Sequence, residues 1–228
     1  PLPPFRPDPA MPDQLISRRD VDFLLYEWLD VASLATRNRF AEHSRETFDA
    51  VIDLCASIAT RQLYPINKLL DTDEPKFDGE RVTTPAALKS ATRAYLDAGL
   101  ISATMDASIG GMQLPTVIAR AGDAYLNAGS VSAMATVGLT AANSATILLH
   151  GTPAQQERYV KPMLAGRFTG TMCLSEPQSG STLADIRTRA VPQPDGSYRL
   201  FGNKMWISGG DHDLTDNIIH LVLAKAPG

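Results

Sequence analysis

Residues 171–181, Thr-Met-Cys-Leu-Ser-Glu-Pro-Gln-Ser-Gly-Ser, concentrate the side chains most able to do chemistry. A β-type run from Phe168 to Leu174 passes straight into a polar turn that holds Glu176, Pro177, Gly180 and the hydroxyls of Ser175, Ser179 and Ser181. A second run repeats the logic downstream: Gly202-Asn203-Lys204-Met205-Trp206-Ile207-Ser208-Gly209-Gly210. Two strands that each end in hydroxyl and backbone donors, one of them carrying a tryptophan, can hold a flat, electron-accepting heterocycle. The donors would meet the negative charge that such a ring gains on reduction.

Taken singly, these residues have plainer readings. Ser175 and Ser208 read as turn hydroxyls at strand ends, and Trp206 as a residue of the core or a sheet face. Glu176, in a Glu-Pro pair at a strand exit, reads as structural rather than as a catalytic base. His150 reads as a helix-end residue, and Cys173 as a buried strand residue rather than a nucleophile. His212, between Asp211 and Asp213, suggests a metal ligand but reads better as part of a solvated turn.

The elements that must position these residues fall into two textures. Residues 1–165 read as helical. Val21, Leu24, Leu25, Trp28, Leu29 and Val31 share one broad face of a helix over 18–34. Phe48, Val51, Ile52, Leu54, Cys55, Ile58 and Leu63 recur at helical spacing over 42–70, where Pro65 should kink or end the helix. Thr84-Pro85 reads as a helix start with a capping hydroxyl, and Gly99 as its end. Leu114-Pro115 opens another helix, running to about Ala128, and residues 130–149 read as a buried one. Thr152-Pro153-Ala154-Gln155 is a capping box opening a short helix to Leu164. From Phe168 the expectation is strands, at 168–174, 184–191, 198–207 and 217–223. Pro194-Asp195-Gly196-Ser197 makes the turn of a hairpin. Helices first and strands second argue for an α+β fold or for two domains.

The 228 residues are 44% hydrophobic and 20% charged, with net charge -4, an ordinary globular composition. The mild acidity argues against a general nucleic-acid binder. No run of about 18 apolar residues appears, so no membrane span is expected. Two cysteines, Cys55 and Cys173, are too few for a disulfide framework or a zinc cluster and point to a reducing compartment. Residues 1–12 are proline-rich and lack the pattern of a secretory or transit peptide. The proline start and the Pro227-Gly228 end after a β-rich run read as the ends of a fragment.

The order of motifs resembles the acyl-CoA dehydrogenase family from about residue 80 to 225. It comprises the Gly110-Gly111 loop, two helices, His150-Gly-Thr-Pro-Ala-Gln-Gln-Glu-Arg-Tyr159, Leu164-Ala-Gly-Arg-Phe-Thr-Gly170 and the two runs above. The segment Arg19-Asp20-Val21-Asp22-Phe23-Leu24-Leu25 resembles the front end of the larger subgroup that includes the methylthiopropionyl-CoA dehydrogenases. The resemblance implies an N-terminal extension (1–40), an all-α domain (41–166) and a partial antiparallel β-barrel domain (167–228). A C-terminal helical domain, which holds the family's glutamate base, would follow beyond this chain, so no catalytic residue is assigned and no metal is expected.

The resemblance further implies FAD as cofactor and α,β-desaturation of an acyl-CoA thioester. Ser175 would serve the N1/O2 edge of the flavin, Met172 and Leu174 would line its pocket, Trp206 would lie against the ring, and Ser208 would reach N5. Gly180 would be among the cofactor-binding residues, and Ser181 would sit near the pyrophosphate and the CoA arm. One departure stands out: Thr182 occupies the place where the family usually has aspartate after Gly-Ser, with Asp185 further on. An electron-transfer flavoprotein as acceptor, a homo-oligomer when full length and a place in cytoplasmic fatty acid metabolism are implied as well, with the mitochondrial matrix the counterpart in a eukaryote. Two other functions on the same scaffold stand as alternatives. One is a DNA-damage-response flavoprotein that binds nucleic acid; the other is a flavin monooxygenase.

Overall fold

A computed structural model describes residues 14–227; the reading of residues 1–12 and of Gly228 lies outside the described residues. The chain opens with α1 (Arg18–Asp22), which continues as a π-type turn over Phe23–Trp28. That widening rotates the expected apolar face. Leu25 and Val31 are buried, but Leu24 and Leu29 are exposed and Trp28 is 70% exposed. Polar bonds do much of the fastening instead. Arg18 bonds Asp22 and Asp49 at 2.8 Å each and also Asp53, and the Tyr26 hydroxyl donates to Asp49 at 2.8 Å.

Next come α2 (Arg45–Ile58), a π turn (Ala59–Leu63) and α3 (Tyr64–Thr72). Pro65 neither ends nor breaks this rod. The Tyr64 N–H just before it bonds Ala59 O, one residue further back than the α pattern, and the wider turn makes room for the proline ring. The same device recurs downstream. There α8 (Pro153–Gln155) is followed by a π turn (Gln156–Val160) and α9 (Lys161–Leu164), and the Lys161 N–H bonds Gln156 O just ahead of Pro162.

Between these lie the short pair β1 (Lys76–Phe77) and β2 (Val82–Thr83), then α4 (Ala86–Asp97), α5 (Thr116–Gly129), α6 (Val131–Val137) and α7 (Leu139–His150). Thr84 does not cap α4 as expected. Its N–H and hydroxyl both donate to Asp213 Oδ1, at 3.0 and 2.5 Å, which ties the helices to a distant loop. Gly99 ends the helix at φ +69°, as its position suggests. Phe48, Ile52, Leu63, Ile118, Leu126 and Val137 form the apolar core of the helical part.

By length and composition alone, Val131–His150 passes for a membrane span, with mean hydropathy 1.3. Here it is two helices meeting at Gly138, and only one face is buried, since Val131 and Leu149 are exposed. The buried polar residues of α7 bond the strands. Asn143 Nδ2 donates to Thr171 O (3.0 Å) and Ile219 O (2.7 Å), and Gly170 N–H donates to Thr140 Oγ1 (3.1 Å). A Cβ at Gly170 would lie 2.6 Å from Asn143 Cβ, so only glycine admits this contact.

The strands are β3 (Phe168–Cys173), β4 (Arg189–Pro192), β5 (Tyr198–Phe201) and β6 (Asn217–Val222). The β4–β5 hairpin is antiparallel and turns at Gly196, φ +80°, as expected. Two expectations are corrected. Strand 184–191 begins only at Arg189, after a 3₁₀ turn at Leu183–Asp185, and strand 198–207 stops at Phe201. Pairing is also not purely antiparallel: β3 and β6 run parallel, with Phe168 opposite Asn217 and Cys173 opposite Val222. A parallel pair needs a crossover. Residues 174–216 are that crossover, and they contain both chemical motifs.

Candidate functional site

The crossover leaves β3 at Leu174 and is fixed at once by Glu176, whose side chain is 2% exposed. Oε2 accepts from Arg187 N–H (2.6 Å) and Gln178 Nε2 (2.7 Å); Oε1 accepts from Thr188 N–H (2.9 Å) and Lys204 Nζ (2.9 Å). Burial alone would raise its pKa. The bonds from Thr188, Arg187 and Lys204 outweigh burial and hold it well below the usual carboxylate range. A carboxylate so occupied cannot take a proton at neutral pH, which agrees with its structural reading. Lys204 is the residue that sequence reasoning missed. It is 11% exposed and donates also to Leu174 O at 2.9 Å. The only trace of it in the sequence is a lysine set between the apolar pairs Leu200-Phe201 and Met205-Trp206; its pairing with Glu176 is a long-range contact.

The second motif is held against the first. Met205 N–H donates to Ser175 O at 3.0 Å, so the backbone that carries Ser175 is bonded to the residue before Trp206. Gly202, at φ +154°, packs where a Cβ would lie 2.3 Å from Thr188 Oγ1. The motif is not a strand end, as expected, but an irregular loop closing in a turn at Ser208-Gly209. Gly209 (φ +62°) sits so close to α6 that a Cβ would come 2.5 Å from Thr136 O.

Trp206 is neither in a core nor on a sheet. It is 85% exposed and holds φ +61°, a left-handed conformation that costs a residue with a Cβ roughly 1–2 kcal/mol. Strain and an exposed indole together mark a functional position more than a structural one. The indole is largely open to solvent, a surface that a flat ring could cover.

Ser208 edges a cleft of about 410 Å³ between the helices, whose walls include Leu100, Ile101, Met134 and Leu139. The Lys204 and Met205 bonds thus tie the backbone at Leu174 and Ser175 to the loop that carries Trp206, and Ser208 lines the cleft between the helices. Met172 is half-buried in β3, opposite Leu221. Gly180 and Ser181 lie on an exposed turn beyond the Glu176–Ser179 bridge, with open space around Gly180.

His212 corrects the sequence reading. It is 7% exposed, not a solvated turn residue. Its Nδ1 accepts from Leu214 N–H (3.2 Å), which leaves the proton on Nε2 to be donated to Thr169 Oγ1 (3.1 Å). Burial lowers its pKa and keeps it neutral. Cys173 is buried as expected, with its Sγ 3.8 Å from His220 Nδ1, and His150 ends α7 as expected. Among the described residues no group of histidine, cysteine and carboxylate side chains could hold a metal ion.

Residues 45–167 match the family model for the acyl-CoA dehydrogenase N-terminal domain. The chain is 34% identical over 212 residues to a 3-methylmercaptopropionyl-CoA dehydrogenase of Ruegeria pomeroyi, covering 92% of this chain and 36% of that protein. It is 32% identical over 224 residues to a butyryl-CoA dehydrogenase of Syntrophomonas wolfei, covering 96% and 36%. It therefore spans about a third of the length of these curated relatives. Among solved structures, a glutaryl-CoA dehydrogenase from Mycobacterium smegmatis in complex with FADH2 superposes with a TM-score of 0.65. The sequence identity is 20%, and 86% of this chain and 46% of that one are covered.

Proposed function

The chain belongs to the acyl-CoA dehydrogenase family, and from that premise we propose that it supplies the helical wall and part of the flavin platform of an FAD-dependent enzyme that desaturates an acyl-CoA thioester between its α and β carbons. The observation that carries the reading is the strained, exposed Trp206 beside the bonded pair of motif loops, with Ser208 opening onto an apolar cleft.

FAD, when bound, supplies the hydride acceptor for this reaction. The protein's own part is to hold and orient. Ser175 offers backbone and hydroxyl donors at the edge where negative charge develops, and such preorganised donors stabilise it without reorganisation. Trp206 would lie against the ring, Leu174 and Met172 would line its pocket, Ser208 would donate a hydrogen bond to it, and Gly180 and Ser181 would help hold the cofactor, with Ser181 also toward the CoA arm. Lys204 and Glu176 keep the two loops in register. The base that takes the α-proton is assigned to the remainder of a protein as long as the relatives. Electron-transfer flavoprotein as acceptor, assembly of several copies and a cytoplasmic setting in fatty acid metabolism belong to the same proposal; the free thiols of Cys55 and Cys173 suit a reducing compartment.

The reading is tested on the full-length protein loaded with FAD. Anaerobic addition of straight-chain acyl-CoA thioesters should bleach the flavin absorbance. Ser208→Ala should slow that bleaching at least tenfold, as loss of one preorganised donor does elsewhere, while flavin content stays near stoichiometric. Failure of every acyl-CoA to bleach the wild type would contradict it.

A further inference from the structure

His212 has no part in the site described above, yet it sits where the crossover is fastened to both halves of the molecule. Its Nε2–H reaches Thr169 Oγ1 of β3 at 3.1 Å, and the Thr215 hydroxyl lies 3.3 Å from the same oxygen. Leu214 is buried in the helical core. The Asp213 carboxylate accepts both donors of Thr84, and its carbonyl accepts from Lys89 Nζ of α4 at 3.1 Å. Just upstream, Ser208 lines the cleft and Gly209 packs against Thr136 of α6. The turn that presents Ser208 is therefore held at its downstream end by residues 212–215.

The imidazole fits its place in one protonation state only. Nδ1 accepts from Leu214 N–H at 3.2 Å. A proton on Nδ1 would set two donors against each other and leave a charge on a residue that is 7% exposed. The titratable groups around it are Asp211 and Asp213 on its own loop and His220 on β6. Neither aspartate bonds the ring among the described residues, and burial prevails over their attraction, so the seated imidazole resists protonation. Released to solvent, the ring would titrate at about pH 6.5. The released form then binds a proton that the seated form refuses. The seated form loses ground as the pH falls below about 6.5, and is unaffected above it. We propose that His212 is a positioning residue that acts as a pH-sensitive pin: neutral, it holds the loop 208–215 on β3; protonated, it leaves its seat and lets the Ser208 turn loosen. FAD binding then weakens reversibly in mild acid, a consequence that rests on the flavin reading above.

The test uses the full-length protein. In the apoprotein, hydrogen exchange at the Leu214 amide, corrected for the intrinsic effect of pH, should quicken roughly tenfold between about pH 7.5 and about pH 5. In His212→Asn the side-chain carbonyl can still accept from Leu214 but takes no proton, and exchange there should change by less than about twofold over the same range. FAD affinity, measured by fluorescence titration, should fall roughly fivefold or more in the wild type and less than about twofold in the variant. Leu214 exchange that ignores pH in the wild type overturns the inference, whether or not the variant folds. So does a variant that loses FAD in acid as steeply as the wild type. If the wild type binds no FAD at about pH 7.5, the flavin reading fails, and Leu214 exchange alone decides for or against the pin.

Discussion

In the helices, Phe48, Ile52, Leu63, Ile118 and Leu126 are all but inaccessible and share one apolar core. In the crossover between β3 and β6 the pattern inverts. Its buried groups include Glu176, Ser179, Thr188 and His212, while Tyr198, Leu200, Phe201 and Trp206 face outward. The first region is held by burial of carbon, which is non-directional. The second is held largely by hydrogen bonds of fixed geometry, centred on Glu176 and Lys204. Directional bonds hold a loop in one conformation without covering its apolar side chains, and that leaves an aromatic surface open for a ligand. The difference is what a platform needs: a stable body on one side and an ordered but uncovered surface on the other.

The largest effect should come from the helices. Phe48→Ala empties a fully buried site and should cost about 3–5 kcal/mol in urea denaturation, with the whole transition shifting together. A cost below 1 kcal/mol would mean that the core around α2 and α5 is not what holds the body.

A smaller and more local effect is expected from Lys204→Met, which strands the buried Glu176 carboxylate. The thermal midpoint should fall by about 5 °C. Hydrogen exchange should quicken at the Arg187, Thr188 and Met205 amides, while amides of α2 and α5 stay protected. Equal loosening in the helices would erase the distinction between the two regions.

The two regions also differ in how far the sequence foretells them. The helices were readable because burial on one face writes a 3.6-residue period, and the starts at Pro85, Pro115 and Thr152 carry local signals. Where reading failed there, one cause was the backbone adapting: a π turn absorbed Pro65, and another exposed Trp28. The crossover was readable as a motif but not as a conformation. Nothing in residues 202–210 announces a left-handed Trp206, because the apolar run Met205-Trp206-Ile207 reads as strand. The parallel pairing of β3 with β6 has no local signature either; it is set by contacts between residues more than forty apart. The bond from Thr84 to Asp213 and the burial of His212 are of the same long-range kind. The site residues came from resemblance, while the clamp that fixes them came from coordinates.

The smallest expected change in stability bears most directly on the claim that Trp206 is kept strained and exposed to bind a ring. Glycine adopts the left-handed conformation freely, and little packing is lost at an exposed position. Trp206→Gly should therefore leave the unfolding midpoint of the full-length protein unchanged or slightly raised. FAD affinity, measured by fluorescence titration of the apoprotein, should fall at least tenfold, the loss of about one aromatic contact. An unchanged FAD affinity together with a lowered midpoint would make Trp206 a structural residue and contradict the account.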